Sequence, residues 1–480
     1  MKRISPAIIT VLFIAALLII GKTEAAAQIT PDNKMMQGSW MGRLEANGMY
    51  LRLVFNISVN DQDSLKASLE SPDQGSVIIP LGTVKLEGDK IEIAAPVIGG
   101  KYTGTVTGEK KIEGKWEQLG SVFPLVLEKQ ETPFKLNRPQ EPRPPFPYRS
   151  EEVTFRNDKG GFNLAGTLTL PEGNGPFPAA ILISGSGAQN RDEELMGHKP
   201  FAVIADHLTR NGIAVLRYDD RGVGKSQGDY SKATSADLAT DAEAAFLYLS
   251  TRSEIAKGKT GFIGHSEGGL IAPIVVSTQP SAGWIVSLAG PGVPGDVLMN
   301  KQNEEISRAM GSTEEEITSA IKINKKLFGI VKKTADNSIA EEKVIKTYTK
   351  ELTKMKVPVE ILNERVNNLK LTFGAASYTW FRFFMITDPA QYWTKVNSPV
   401  LILNGEKDLQ VNAAINTAGI AAALNKGGNN AYKIVTFPGR NHLFQSCETG
   451  LPGEYGTIEE TMSPEVLNTM TLWIREITMK

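Results

Sequence analysis

Cysteine is nearly absent: the 480 residues include one, Cys447. A single thiol cannot close an internal disulfide, so stability must rest on core burial, which a chain of this length can supply. Charge imbalance is also missing. Lys and Arg number 52 against 53 Asp and Glu, a formal net charge of −1. That removes any electrostatic reason to propose nucleic acid or an anionic membrane as a partner. Beyond the N-terminal segment no apolar run reaches the ~18 residues of a spanning helix, so the mature chain is expected to have no membrane span. Histidine is scarce: His198, His207, His265 and His442 are the whole set, which narrows any search for a general base.

What is present begins with the N-terminus. Lys2 and Arg3 precede an apolar run over residues 8–20, and Ala25, Ala26 and Ala27 follow. The run is shorter than the ~20 residues a bilayer requires. Residues 1–27 are therefore expected to be a secretory signal peptide, cleaved before Gln28, with the product exported to the periplasm or secreted. The alternative is an uncleaved N-terminal anchor. The only cysteine lies far from this segment, which argues against a lipoprotein.

A chain of this length suits two or three domains. Residues 28–130 lack helical period. In "LRLVFNISV", Leu51, Leu53, Phe55, Ile57 and Val59 share one face, and "TVKLEGDKIEI" turns at Gly88-Asp89 between two alternating runs. A small antiparallel barrel or sandwich is expected there, without a cluster of residues that suggests chemistry. Six prolines across residues 131–150 predict a semi-rigid linker. From 151 to 480 buried strand patterns alternate with helical ones, the signature of a mostly parallel sheet covered on both faces. A helical insertion is expected at about 295–395, opened by Ser312-Thr313 ahead of Glu315-Glu316. It closes on an aromatic cluster in which Trp380, Phe381 and Phe384 are candidate pocket residues. Ser463 and Pro464 predict the start of a last helix, with Leu467, Met470, Ile474 and Ile477 as its buried stripe.

The stretch "GFIGHSEGG" fits G-x-S-x-G around Ser266, with a strand before it and a helix after it. Such a turn is so tight that small residues must flank the serine, which accounts for Gly264 and Gly268. A serine hydroxyl needs a base, and His442 alone among the histidines follows Ser266, in "GRNHLFQ". His265 sits on a turn expected to direct its side chain away from the serine. His207 lies within a helix, and His198 in a loop before the serine. An acid should end a strand between Ser266 and His442, and "LNGEKDLQV" offers Asp408, with Glu406 as the weaker choice. The expected triad is thus Ser266, His442 and Asp408. For an oxyanion, the Glu267 N–H and a second N–H from "SGSGAQNRDE" are expected donors, Ser186 first and Gly187 as the alternative. "RGVGKS" is not a phosphate-binding loop, because Asp219 stands where that motif needs glycine. Cys447 lacks an elbow and is expected to serve packing.

These stretches, together with "RYDDRGVGKS" and "TWFRFFMITDP", resemble the α/β-hydrolase superfamily over residues 150–480. More narrowly they resemble bacterial carboxylesterases of the serine aminopeptidase-like group. One departure stands out: Ser184 occupies the place where a histidine often begins the oxyanion loop. The resemblance implies a serine esterase with a helical cap, acting on a small-molecule ester or acyl substrate and needing no cofactor or metal. A peptidase or other amide or thioester hydrolase would use the same triad. A third expectation, from another class, is a catalytically inert exported binding protein.

Overall fold

The computed structural model describes residues 31–46, 49–62, 64–73, 78–118, 121–132, 137–372 and 375–479. The expected signal peptide lies outside these residues, as does part of the Pro-rich segment.

After a one-turn helix, α1 (Asn33–Met36), nine strands form one antiparallel sheet: β1 (Gly38–Ala46), β2 (Met49–Val59), β3 (Leu65–Glu70), β4 (Ile78–Pro80), β5 (Val84–Glu87), β6 (Lys90–Ala95), β7 (Gly100–Gly108), β8 (Lys111–Gln118) and β9 (Ser121–Lys129). Their spatial order is β4-β3-β2-β1-β9-β8-β7-β6-β5. The hairpin at Gly88-Asp89 pairs Glu87 with Lys90 and Val84 with Ile93, as its alternation predicts. Alternation also buries Ile91, Ile93 and Ala95 on one face of β6. Phe55 on β2 meets Tyr102 on β7 and Trp116 on β8, with ring centroids 5.5 and 6.0 Å apart. Those strands are not neighbours, so the sheet must curl round its own core. The domain is therefore one coiled sheet rather than two stacked ones, which decides between the barrel and sandwich expectations in favour of a barrel-like curl.

The second unit is an eight-stranded sheet. Its strands are β10 (Arg149–Asn157), β11 (Phe162–Leu170), β12 (Phe177–Ile183), β13 (Ala214–Tyr218), β14 (Ile255–His265), β15 (Ile285–Leu288), β16 (Val400–Gly405) and β17 (Tyr432–Phe437). The order is β10-β11-β13-β12-β14-β15-β16-β17. The β10–β11 hairpin joins β13 antiparallel, and every pairing from β13 to β17 is parallel. Successive residues of the central strands feed two separate cores. Ile181, Phe262, Ile285 and Ile402 belong to one, and Leu182, Ile263, Val286 and Leu403 to the other. Helices α2 (Pro200–Arg210) and α12 (Pro464–Thr478) cover the second core, and α3 (Ser235–Ser250), α4 (Gly268–Val276) and α11 (Ala413–Lys426) the first. The predicted stripe of α12 is buried at Leu467, Met470 and Ile474.

Between β15 and β16 run α5 (Gly295–Ala309), α6 (Glu314–Lys333), α7 (Asn337–Lys354), α8 (Val359–Thr372), α9 (Ala375–Ile386) and α10 (Ala390–Trp393). Of the two possible capping boxes, Thr313 with Glu316 forms the one that starts α6. Among the described residues no helix is long and apolar enough to cross a membrane.

The Pro-rich segment is more than a spacer. Arg138 is 5% exposed, and among the described residues its guanidinium donates to five backbone carbonyls: Asn137, Met196, Gly197, Gly456 and Ile458, at 2.8–3.2 Å. Burial holds its pKa below the usual value. Arg52 on β2, paired with Asp73, donates to the same Gly456 carbonyl at 3.0 Å. Gln140 bonds Thr461 and Met462. The curled sheet, the linker and the loop after β17 are thus fastened together.

Candidate active site

The loops after β12, β14, β16 and β17 all leave the carboxyl edge of the parallel sheet, where open α/β sheets bind ligands. They carry Ser186, Ser266, Asp408 and His442 respectively.

Ser266 sits between the end of β14 and the start of α4 with φ +50°. That left-handed conformation costs a residue with a Cβ about 1–3 kcal/mol and persists only where the surroundings impose it. Here they do. A Cβ on Gly264 would fall 2.0 Å from the Gly268 carbonyl oxygen, and one on Gly268 would fall 2.1 Å from the Ile183 oxygen. Both obstacles are backbone. Gly268→Ala is therefore expected to destabilise the fold by at least about 1–3 kcal/mol, the usual cost of overpacking. It should also displace the end of β12, so thermal unfolding and activity are expected to fall together.

Asp408, 2% exposed, follows β16. Its Oδ1 accepts the N–H groups of Gln410 (2.9 Å) and Val411 (2.8 Å). Its Oδ2 accepts from the Asn404 amide at 3.1 Å and lies 2.8 Å from His442 Nδ1. Glu406, the weaker choice, is exposed and accepts the Gly439 N–H instead.

The His265 ring centroid is 4.9 Å from that of His442. Its Nε2 is 3.1 Å from the His442 carbonyl oxygen, and its Nδ1 is 2.9 Å from Glu193 Oε1. The turn that was expected to direct this side chain away from the serine aims it at Glu193 and at the backbone of His442. Sequence reasoning missed both His265 and Glu193. The only available signal was the presence of Glu193 in "SGSGAQNRDE".

The Glu267 side chain is 1% exposed. Its Oε1 accepts Ser235 Oγ–H at 2.6 Å and the Trp380 indole N–H at 2.7 Å. Burial pushes its pKa up against these donors. Trp380 stacks on Phe384 with centroids 5.6 Å apart, and Phe381 meets Phe328 at 6.3 Å. Phe384 is buried in the core, while Trp380 and Phe381 are partly exposed.

The Gly187 N–H is already engaged, donating to Tyr230 Oη at 3.0 Å. No acceptor for the Ser186 or Glu267 N–H is found among the described residues. His198 is buried, bonded to Thr461 and the Tyr455 carbonyl, and its pKa is lowered to about 4 by burial. Cys447 is partly buried with a raised pKa. Lys225 of "RGVGKS" pairs with Glu152 at the surface. Among the described residues no group of three His, Cys, Asp or Glu could hold a metal ion.

Esterase EstD of Thermotoga maritima is 25% identical over 312 residues, covering 64% of this chain and 65% of that protein. This chain thus spans less than two thirds of that relative. A solved esterase of Pyrococcus furiosus matches 72% of the chain at 14% identity, covers 100% of its own length and has a TM-score of 0.43. A hypothetical protein of Pseudomonas aeruginosa matches 72% of the chain at 16% identity, covers 99% of its own length and has a TM-score of 0.44. The family described as serine aminopeptidase, S33, matches residues 198–445. That span is more than half of the sequence and reaches from the loop before α2 to just beyond His442, and the chain belongs to this family.

Proposed function

We propose that the protein is a serine hydrolase that cleaves carboxylic esters of small molecules through an acyl-enzyme on Ser266. The observation that carries this reading is the buried Asp408–His442 pair, at 2.8 Å, on the sheet edge where Ser266 is held in a strained turn. His442 Nε2 takes the Ser266 proton as Oγ attacks the ester carbonyl. Asp408 accepts the Nδ1–H, which leaves Nε2 free as the base and stabilises the imidazolium that forms. The Glu267 and Ser186 N–H groups hold the oxyanion, a role supported by the absence of an acceptor for either among the described residues and, for Glu267, by its position at the head of α4. Collapse expels the alcohol, which takes its proton from His442. Water, deprotonated by the same imidazole, then releases the acid. The cap helices α5–α9 bring Trp380, Phe381 and Phe384 over the elbow as an apolar acyl wall. Export to the periplasm or beyond, through a signal in residues 1–27, belongs to the same proposal.

A second reading, amide hydrolysis, is favoured by the family's description as serine aminopeptidases. One comparison separates the two. The protein is expected to label with a fluorophosphonate and to accelerate short p-nitrophenyl esters over buffer more than it accelerates aminoacyl p-nitroanilides. Greater acceleration of the anilides would assign it as a peptidase, and no labelling would remove serine catalysis altogether.

A further inference from the structure

Glu193 is strained, with φ +50°, and 4% exposed. A strained backbone and a buried carboxylate are both costly, so compensating contacts must hold the residue there. Its Oε1 accepts the Gly185 N–H at 2.6 Å and lies 2.9 Å from His265 Nδ1. A Cβ on Gly185 would sit 3.2 Å from Ser266 Cβ, so this loop runs directly against the elbow. On the other side of the ring, His265 Nε2 faces the His442 carbonyl oxygen at 3.1 Å. Both ring partners are acceptors. A neutral imidazole has one N–H and satisfies only one of them, whereas an imidazolium satisfies both. Burial works against that charge, but the Glu193 carboxylate and its hydrogen bond outweigh it, and the His265 pKa is raised.

Resting on the serine-hydrolase reading, we propose that Glu193 and a charged His265 are a pair of positioning residues. They tie the oxyanion loop, through Gly185, to the backbone of the general base, through the His442 carbonyl. The two halves of the site come from loops far apart in sequence, one after β12 and one after β17. One carboxylate oxygen and one ring link them across the elbow, so the donor that meets the oxyanion and the base that deprotonates Ser266 keep a common frame. Neither residue needs to touch the substrate.

The test uses the full-length protein with Glu193→Gln, which keeps an amide oxygen for the Gly185 N–H but removes the charge that holds the imidazolium. Misplacing reacting groups by a fraction of an ångström to 1 Å costs up to ~100-fold. Accordingly kcat on a p-nitrophenyl ester and the fluorophosphonate labelling rate are each expected to fall by ~10- to 100-fold, with KM within about twofold. Ile474→Ala, which opens a void beneath α12, is the control for lost stability alone. It should lower Tm while leaving kcat close to wild type. Nitrogen shifts of 15N-histidine report the ring independently of turnover: His265 should be protonated on both nitrogens near neutral pH, and on one in Glu193→Gln. A neutral His265 in the wild type overturns the proposal, as does a Glu193→Gln kcat no lower than that of the control. A wild type that does not label sinks the serine reading and this proposal together. A wild type that labels, with Glu193→Gln unchanged, sinks this proposal alone.

Discussion

Ser266→Ala is expected to remove ester hydrolysis, lowering kcat by on the order of 10⁵- to 10⁶-fold, as loss of a nucleophile in such a unit does. Fluorophosphonate labelling should disappear with it. The substitution keeps a Cβ in the same left-handed turn, so the backbone strain is unchanged. The forces that impose the turn also remain. The Ser266 N–H still donates to the Leu288 carbonyl at 2.8 Å, and its carbonyl still accepts the Gly269 N–H at 2.9 Å. Stability should therefore stay within about 0.5 kcal/mol of wild type, the range of substitutions that disturb no core contact. Circular dichroism and thermal unfolding, run beside p-nitrophenyl ester turnover, check both halves. Activity near wild type in the folded variant would mean that another residue performs the attack.

Asp408→Asn is expected to lower kcat by ~10⁴-fold by imposing the wrong tautomer on His442. The asparagine oxygen is claimed by the Gln410 and Val411 N–H groups, which both point at the present Oδ1. The new NH₂ group then faces His442 Nδ1 and the Asn404 amide. To accept from that NH₂, His442 must move its proton to Nε2, where it can no longer take one from Ser266. The same NH₂ opposes the Asn404 donor, so some stability should be lost as well, at about 1–3 kcal/mol for a buried group left unpaired. Nitrogen shifts of His442, read alongside kcat, test the cause directly. A fall in kcat without a tautomer change would point to simple misplacement of the loop.

The features that sequence made legible are those with local causes. Each of Ser266, Asp408 and His442 follows a strand of regular apolar pattern, so their common edge follows from strand direction alone. The Thr313–Glu316 box and the Ser463-Pro464 start are also local, and both head the helices expected of them. The features left unread depend on partners distant in the chain. His265 bonds a carbonyl 177 residues away, and no pattern near it reports that. The curl of the first sheet depends on Phe55 reaching Tyr102 and Trp116 across several intervening strands, whereas alternation records only which face each residue occupies. Arg138 escaped notice because proline density dominates its surroundings and arginines are mostly exposed.

Arg138 also sets where this molecule can be cut. A catalytic fragment begun at Ser150 would discard the cation that five main-chain oxygens now surround, leaving the four on Met196, Gly197, Gly456 and Ile458 to water or to nothing. The loops left without this donor would include the one that follows His442 in the chain. An excised hydrolase that keeps its chemistry should therefore start upstream of Asn137 and carry the proline tract as part of its own body.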